Sequence, residues 1–172
     1  RIPMMAGSVL PLVPRRPRAD VRRGEKLKQI VVVSYHTLDG YGFHALEIVQ
    51  SLAERRAGGE TGIEAVRCLS GARTWTVLDE GICDVELFKA ALEGLPKRRN
   101  RGRSVRQAAR RPSVMLVEYA DGLKAFVFTL NGVAVDWTAA WRTRDGGVHS
   151  LLYVLQDERP FMHFALLTRA IE

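Results

Sequence analysis

Between Val114 and Arg142 the chain reads Val114-Met-Leu-Val-Glu-Tyr-Ala-Asp-Gly-Leu-Lys-Ala-Phe-Val-Phe-Thr-Leu-Asn-Gly-Val-Ala-Val-Asp-Trp-Thr-Ala-Ala-Trp-Arg142. Two Asx-Gly dipeptides, Asp121-Gly122 and Asn131-Gly132, divide three runs rich in apolar, β-branched and aromatic residues. Such dipeptides supply the positive φ that tight hairpin turns require. The stretch therefore predicts a three-stranded meander over Val114–Tyr119, Leu123–Leu130 and Val133–Arg142. Asp145-Gly146-Gly147 leads into one more strand, Val148–Gln156.

Upstream, Ile30-Val31-Val32-Val33 lies within Gln29–Tyr35 and reads as a buried strand by its length and β-branching. Asp39 offers an N-cap to a helix whose apolar stripe, Ala45, Leu46, Val49, Leu52 and Ala53, runs on to Arg56 and stops at Gly58-Gly59. Ile63–Leu69 and Ala72–Val77 flank Ser70-Gly71, which predicts another hairpin. Asp84 caps a second helix carrying Val85, Phe88, Leu92 and Leu95, ended by Gly94 and Pro96. A last helix is expected over Pro160–Glu172, with Phe161, Phe164, Leu167 and Ile171 along one face. No stop signal follows it, and the chain begins at Arg1, so a longer polypeptide is the expectation. Together these signals give an α+β class: a mainly antiparallel open sheet with two to three helices packed on one face. Residues 1–28, with Pro3, Pro11, Pro14 and Pro17 and no sustained period, read as an extended Pro/Arg-rich arm or linker before a domain at 29–172.

Charge is distributed unevenly. The net +7 conceals +8 in residues 97–111, +6 in residues 1–28, and −7 in the remainder. An acidic core carrying a basic arm and a basic loop is the reading, and charge of that kind reports solubility and non-specific association before it reports a partner. The basic run, Lys97-Arg-Arg-Asn-Arg-Gly-Arg-Ser-Val-Arg-Gln-Ala-Ala-Arg-Arg111, holds no aromatic to stack on bases, which disfavours nucleic acid as the main partner. At 47% hydrophobic residues over 172 positions, disorder throughout and a disulfide-stapled miniprotein are excluded. Cys68 and Cys83 form no C-x-x-C, and the histidines at 36, 44, 149 and 163 lack metal-ligand spacing. No window approaches the roughly 18–20 apolar residues of a membrane span, so a cytoplasmic location and no membrane partner are expected.

Gly40-Tyr-Gly42-Phe-His-Ala45 satisfies G-x-G-x-x-A between a strand and a helix. In a dinucleotide turn the first glycine follows the strand almost at once, whereas His36-Thr-Leu-Asp39 intervenes here. The next strand ends in Ser70-Gly71 without a ribose-binding acid, and Asp39 beside a phosphate would repel it. Glycines that permit a tight entry to a core helix are the preferred reading.

The run Leu38-Asp-Gly-Tyr-Gly-Phe-His-Ala-Leu-Glu47 resembles the D-x-G-x-H-x-L-D/E helix start in the C-terminal domain of the Gfo/Idh/MocA-like (glucose–fructose oxidoreductase / inositol dehydrogenase) family. Tyr119–Gly132 looks like that family's sheet hairpins, and Pro160–Glu172 like the helix before its final segment; in element order the likeness covers residues 29–172. The resemblance implies a domain that follows a nucleotide-binding Rossmann domain, supplies much of the substrate pocket, and assembles as a homo-oligomer through its open sheet. It implies NAD(P) for the full-length protein and a sugar, polyol or related small molecule as substrate. The cofactor would be held by the N-terminal domain, so none is expected to bind this chain alone.

His44 matches the family histidine, which acts with a lysine of the nucleotide-binding domain in proton transfer at the substrate hydroxyl. Imidazole suits that role because free histidine titrates at about pH 6.5. The family aspartate that orients this histidine falls at Gly40, and Asp39 is displaced by one residue. Tyr41 and Asp39 are the accompanying candidate substrate-binding residues. Trp137 and Trp141, four apart on a strand, should share one face of the sheet core, and His36 should face solvent. Three readings stay open: the substrate-binding and assembly portion of an NAD(P)-dependent oxidoreductase, a non-enzymatic binding or oligomerisation module built on the same fold, and a basic nucleic-acid module.

Overall fold

The computed structural model describes residues 7–100, 102–155 and 166. Its strands are β1 (Arg15–Arg16), β2 (Leu27–Ser34), β3 (Ile63–Ser70), β4 (Ser113–Tyr119), β5 (Lys124–Thr129), β6 (Trp137–Thr143) and β7 (Val148–Tyr153). Its helices are α1 (Leu38–Ala53), α2 (Thr76–Asp79), α3 (Val85–Glu93) and α4 (Val105–Ala108). The strands form one open sheet in the order β1-β7-β6-β2-β5-β4-β3. All neighbours are antiparallel except β2 and β5, which run parallel. The α+β class with a mainly antiparallel open sheet is what the structure has.

β2 organises the sheet because Ile30, Val31, Val32 and Val33 are all fully buried. Ile30 and Val32 face a core shared with Ala45, Ile48, Val49 and Leu52 of α1. Val31 and Val33 face a second core shared with Leu87, Phe88, Ala91 and Leu92 of α3. Four consecutive apolar β-branched residues place apolar surface on both sides of a strand, so helices are needed on two faces. The expectation of helices on one face is corrected accordingly.

The same central position of β2 changes the meander. β4 and β5 form the hairpin expected at Asp121-Gly122, where Gly122 has φ +82°. At Asn131-Gly132 no hairpin closes, because β2 inserts between β5 and β6 and takes hydrogen bonds from both. β6 and β7 pair as neighbours through the Asp145-Gly146-Gly147 turn. Ser70-Gly71 is not a hairpin either. Beyond β3 the chain forms a 3-10 turn, Gly71–Trp75, and then α2, which bury Trp75 and Val77 in the α3-side core instead of extending the sheet. Asp84 caps α3 as its position suggests, its carboxylate accepting from the amides of Glu86 and Leu87.

Described residues of the 1–28 segment are not a detached arm. Val9, Leu10, Val13 and Val21 are each 5% exposed or less and belong to the α1-side core, and β1 pairs with the edge of β7. Prolines interrupt any regular period there, so the apolar residues reach the core at spacings that no helix or strand template reveals. The helix expected over 160–172 lies outside the described residues, apart from Leu166, which packs against the α1-side core.

Candidate functional site

The parallel pair β2 and β5 ends on the side of the sheet where α1 begins. Ser34, Thr129 and Ser113 are register partners across β2, β5 and β4 at that level, and all three are buried. Past Ser34, Tyr35 is half-buried and His36 takes a left-handed φ of +68°. That turn leaves Thr37 extended, and its hydroxyl accepts from the Gly40 amide at 3.2 Å. Thr37, not Asp39, is therefore the N-cap. Asp39 sits in the first helical turn, exposed, with no hydrogen bond or ion pair among the described residues.

Tyr41 and His44 are three apart on α1 and so lie on one face of it. They meet an aromatic group built from two other elements. Tyr41 stands edge-on to Tyr35 with ring centroids 5.2 Å apart, 5.4 Å from Trp137 and 4.8 Å from His36. His44 is edge-on to Trp137 at 6.1 Å and to Tyr41 at 6.0 Å. Its Nδ1 lies 2.8 Å from the Ser8 hydroxyl, which fixes the ring and leaves Nε2 without a partner among the described residues. Burial, with Tyr41 beside it, pushes the Tyr35 phenol above its ordinary pKa. Burial likewise raises the Asp136 carboxyl, opposed by the Lys97 ammonium. The cluster therefore offers one imidazole nitrogen without a partner among the described residues and two half-buried phenols, backed by the buried Trp137 indole.

The structure brings Tyr41 and His44 together and leaves Asp39 outside. Trp137 and Trp141 share the α1-side face, as their spacing requires, and Trp137 is part of the cluster as well as of the core. His36 is exposed and also lies against Tyr41. Sequence reasoning did not find Ser8, 36 positions from His44, and no local period signals that contact. Nor did it find Tyr35, which only the β2-to-α1 turn brings onto Tyr41.

On the other side of the same sheet end lies the basic segment. It is seated rather than loose: the Arg99 amide donates to Val133 O, Asn100 Nδ2 to Gly132 O, and the Arg110 amide to Asn131 O. α4 carries a capping box between Ser104 and Gln107 and buries Ala108 in the α3-side core. Arg106 is bound by Asp79 and lies over the Trp75 ring.

A dinucleotide does not fit these residues. Gly40 has its amide taken by Thr37, Gly42 is buried inside the helix against Leu38 and Met115, and the strand after α1 lies at the far edge of the sheet, antiparallel to β4. No group of three or more His, Cys, Asp or Glu able to hold a metal occurs among the described residues, and no described helix is long and apolar enough to cross a membrane. No family model, curated protein or solved structure matches the chain.

Proposed function

We propose that the chain is the substrate-binding and assembly portion of an NAD(P)-dependent oxidoreductase acting on a sugar, polyol or related compound. The observation that carries this reading is the His44 ring, anchored through Nδ1 with Nε2 free, set among Tyr41, Tyr35 and Trp137 where the parallel strands end. An imidazole held by one nitrogen exchanges a proton through the other. Half-buried tyrosines, each with an apolar ring and a hydroxyl, match the alternating C–H and hydroxyl surfaces of a polyol. The resemblance of the 38–47 run to the Gfo/Idh/MocA-like helix start supports the same role for His44. Hydride chemistry, NAD(P) and the partner lysine belong in this reading to a separate nucleotide-binding domain.

A non-enzymatic binding or oligomerisation module is the second reading, favoured by Gly40 at the place of the family aspartate and by Thr37 taking the capping role. Titration of the isotope-labelled chain with myo-inositol and D-glucose tests the shared element. The expected result is saturable shifts of the His44 and Trp137 ring signals that His44→Asn weakens at least threefold. Unmoved rings at 50-fold excess ligand over protein would sink the substrate-site reading. In the full-length enzyme, His44→Asn is expected to lower kcat/KM and flatten its pH profile. A module without chemistry shows no turnover to lose.

A further inference from the structure

We infer that the substrate of this site carries an anionic group, a phosphate or a carboxylate, and that arginines of the 98–111 segment read it across the rim of the sheet. The inference rests on the preceding reading that the His44 cluster binds a polyol. Its starting point is what the basic segment does not do. Among the described residues, Arg98, Arg99, Arg103, Arg110 and Arg111 make no ion pair, whereas Arg106 is neutralised by Asp79. Arg99, Arg103, Arg110 and Arg111 are exposed. These five guanidinium groups, without an ion pair among the described residues, repel one another, yet bonds from Arg99, Asn100 and Arg110 to Val133, Gly132 and Asn131 hold the segment in place. Gly132, at φ +87°, admits this approach because a Cβ there would stand 2.8 Å from Ala108 O.

Backbone hydrogen bonds connect the segment to the strand end below the cluster. The Leu130 amide donates to Ser34 O beside Tyr35, and the Arg110 amide donates to the next residue's carbonyl, Asn131 O, so two backbone hydrogen bonds link the segment to the strand end that leads into the cluster. β2 and β5 are about 4.8 Å apart, so the strand end that receives the segment is one interstrand spacing from the turn carrying Tyr35, and an arginine side chain and a six-carbon ligand together span the rim between them. The segment that receives these bonds, Asn131 to Asp136, runs directly into Trp137 of the cluster. Asp136, whose charge bears on Tyr35, stands on the cluster side and would repel an anion there, so the charged end of the ligand points over the rim toward the arginines. Their planar forks suit the bidentate geometry of phosphate and carboxylate. With no exposed aromatic inside the segment to stack on bases, a small anionic polyol fits better than a nucleic acid.

The test is a ligand panel on the full 172-residue chain, read by the His44 and Trp137 ring signals: D-glucose, glucose 6-phosphate, D-gluconate, inorganic phosphate and a single-stranded oligonucleotide. The expected result is at least tenfold tighter binding of glucose 6-phosphate or gluconate than of glucose. Arg110→Ser/Arg111→Ser should remove that difference and leave glucose binding unchanged. The phosphate and carboxylate arms show which anion is preferred. Equal affinities for neutral and anionic ligands, with ring shifts for both, would overturn this inference and leave the substrate-site reading standing. Failure of every sugar to move the rings overturns both. An oligonucleotide binding tighter than any sugar, with a steep salt dependence, overturns the inference in favour of nucleic acid.

Discussion

Arg56 is the deepest cation described, with a side chain 1% exposed, and its loss is the sharpest available check on how the α1 end of the sheet is held. Its guanidinium spends every nitrogen: Nε donates to Asp121 Oδ2 at 2.8 Å, Nη1 to Ala53 O at 2.6 Å and Nη2 to Thr61 Oγ1 at 2.7 Å. The group also lies over the Tyr119 ring, 4.7 Å from its centroid. One side chain thus ties the end of α1, the loop before β3 and the β4–β5 turn. Removing one member of a buried pair typically costs about 3–5 kcal/mol, because the other charge is left without compensation. Asp121 is 31% exposed, so water can partly replace it, and Asp121→Asn should cost about 2–3 kcal/mol. At about 2–4 °C per kcal/mol for a chain of this length, that is a fall in Tm of about 4–12 °C. Arg56→Met/Asp121→Asn should cost less than the sum of the singles by about 1–2 kcal/mol in urea unfolding, since the double variant buries no lone charge. The Arg56 hydrogen bond holds the Asp121 carboxyl below the ordinary carboxylate range. Protonation therefore favours the unfolded chain: the contribution is complete above the unfolded value of about 3.9 and is lost as pH falls through the lower folded value. The gap between wild type and Asp121→Asn should be flat from pH 7 to 5 and close below about pH 4. A single-variant Tm within 1 °C of wild type at pH 7 refutes the reasoning.

Other expected outcomes separate local causes. Gly132→Ala meets both a left-handed φ and a 2.8 Å backbone contact, and should cost about 2–3 kcal/mol, against about 1 for Gly81→Ala, which has a similar φ and open space; equal losses in urea unfolding would count against the tight approach. A thiol reagent at pH 8 should modify one equivalent per native chain, at exposed Cys68, because burial raises the Cys83 thiol and hides it; two equivalents without denaturant would contradict that burial. If the chain assembles through its sheet, β3 is the strand to carry it: it is the longer of the two edge strands among the described residues, and Ile63 and Val66 are 56% and 58% exposed. Val66→Lys should then lower the sedimenting mass, and an unchanged oligomer would move the interface elsewhere. Calorimetry of the chain with NAD(P) should show no micromolar binding; such a constant would overturn the conclusion that these residues do not fit a dinucleotide.

What the sequence made legible follows from which signals are local. Asp121-Gly122, the Asp84 cap and the Ile30–Val33 run act within a few residues of themselves, and all three elements form where they are written. Asn131-Gly132 carries the same turn chemistry as Asp121-Gly122 yet closes no hairpin, because a strand about a hundred positions upstream wins the pairing on both sides. Turn propensity decides that the chain bends, not what it bends beside. The one-face arrangement failed for a related reason: continuous burial of Ile30–Val33 demands two covered faces, a consequence readable in principle from the absence of alternation. Val9, Leu10, Val13 and Val21 were hidden by prolines that erase any period.

The site divides along the same line. Tyr41 and His44 were legible because helical spacing puts them together, while Ser8, Tyr35 and Trp137 arrive from three other segments and convert a lone histidine into an anchored one. The shift from Asp39 to Thr37 as cap matters for the chemistry. Asp39 makes no hydrogen bond among the described residues, the position where the resemblance would place an orienting aspartate is Gly40, and Ser8 is the only described partner of the His44 ring nitrogens. A serine hydroxyl can accept from or donate to Nδ1, whereas a carboxylate would hold Nδ1 protonated and stabilise the imidazolium. The Ser8 contact is therefore compatible with either tautomer of His44. Ser8→Asp places a carboxylate within reach of Nδ1, and should hold the proton there, moving the ring nitrogen signals toward the Nδ1-protonated tautomer. If Ser8→Asp leaves those signals where they are in wild type, the Ser8–His44 contact does not govern the ring, and the acid/base role proposed for His44 loses its structural basis.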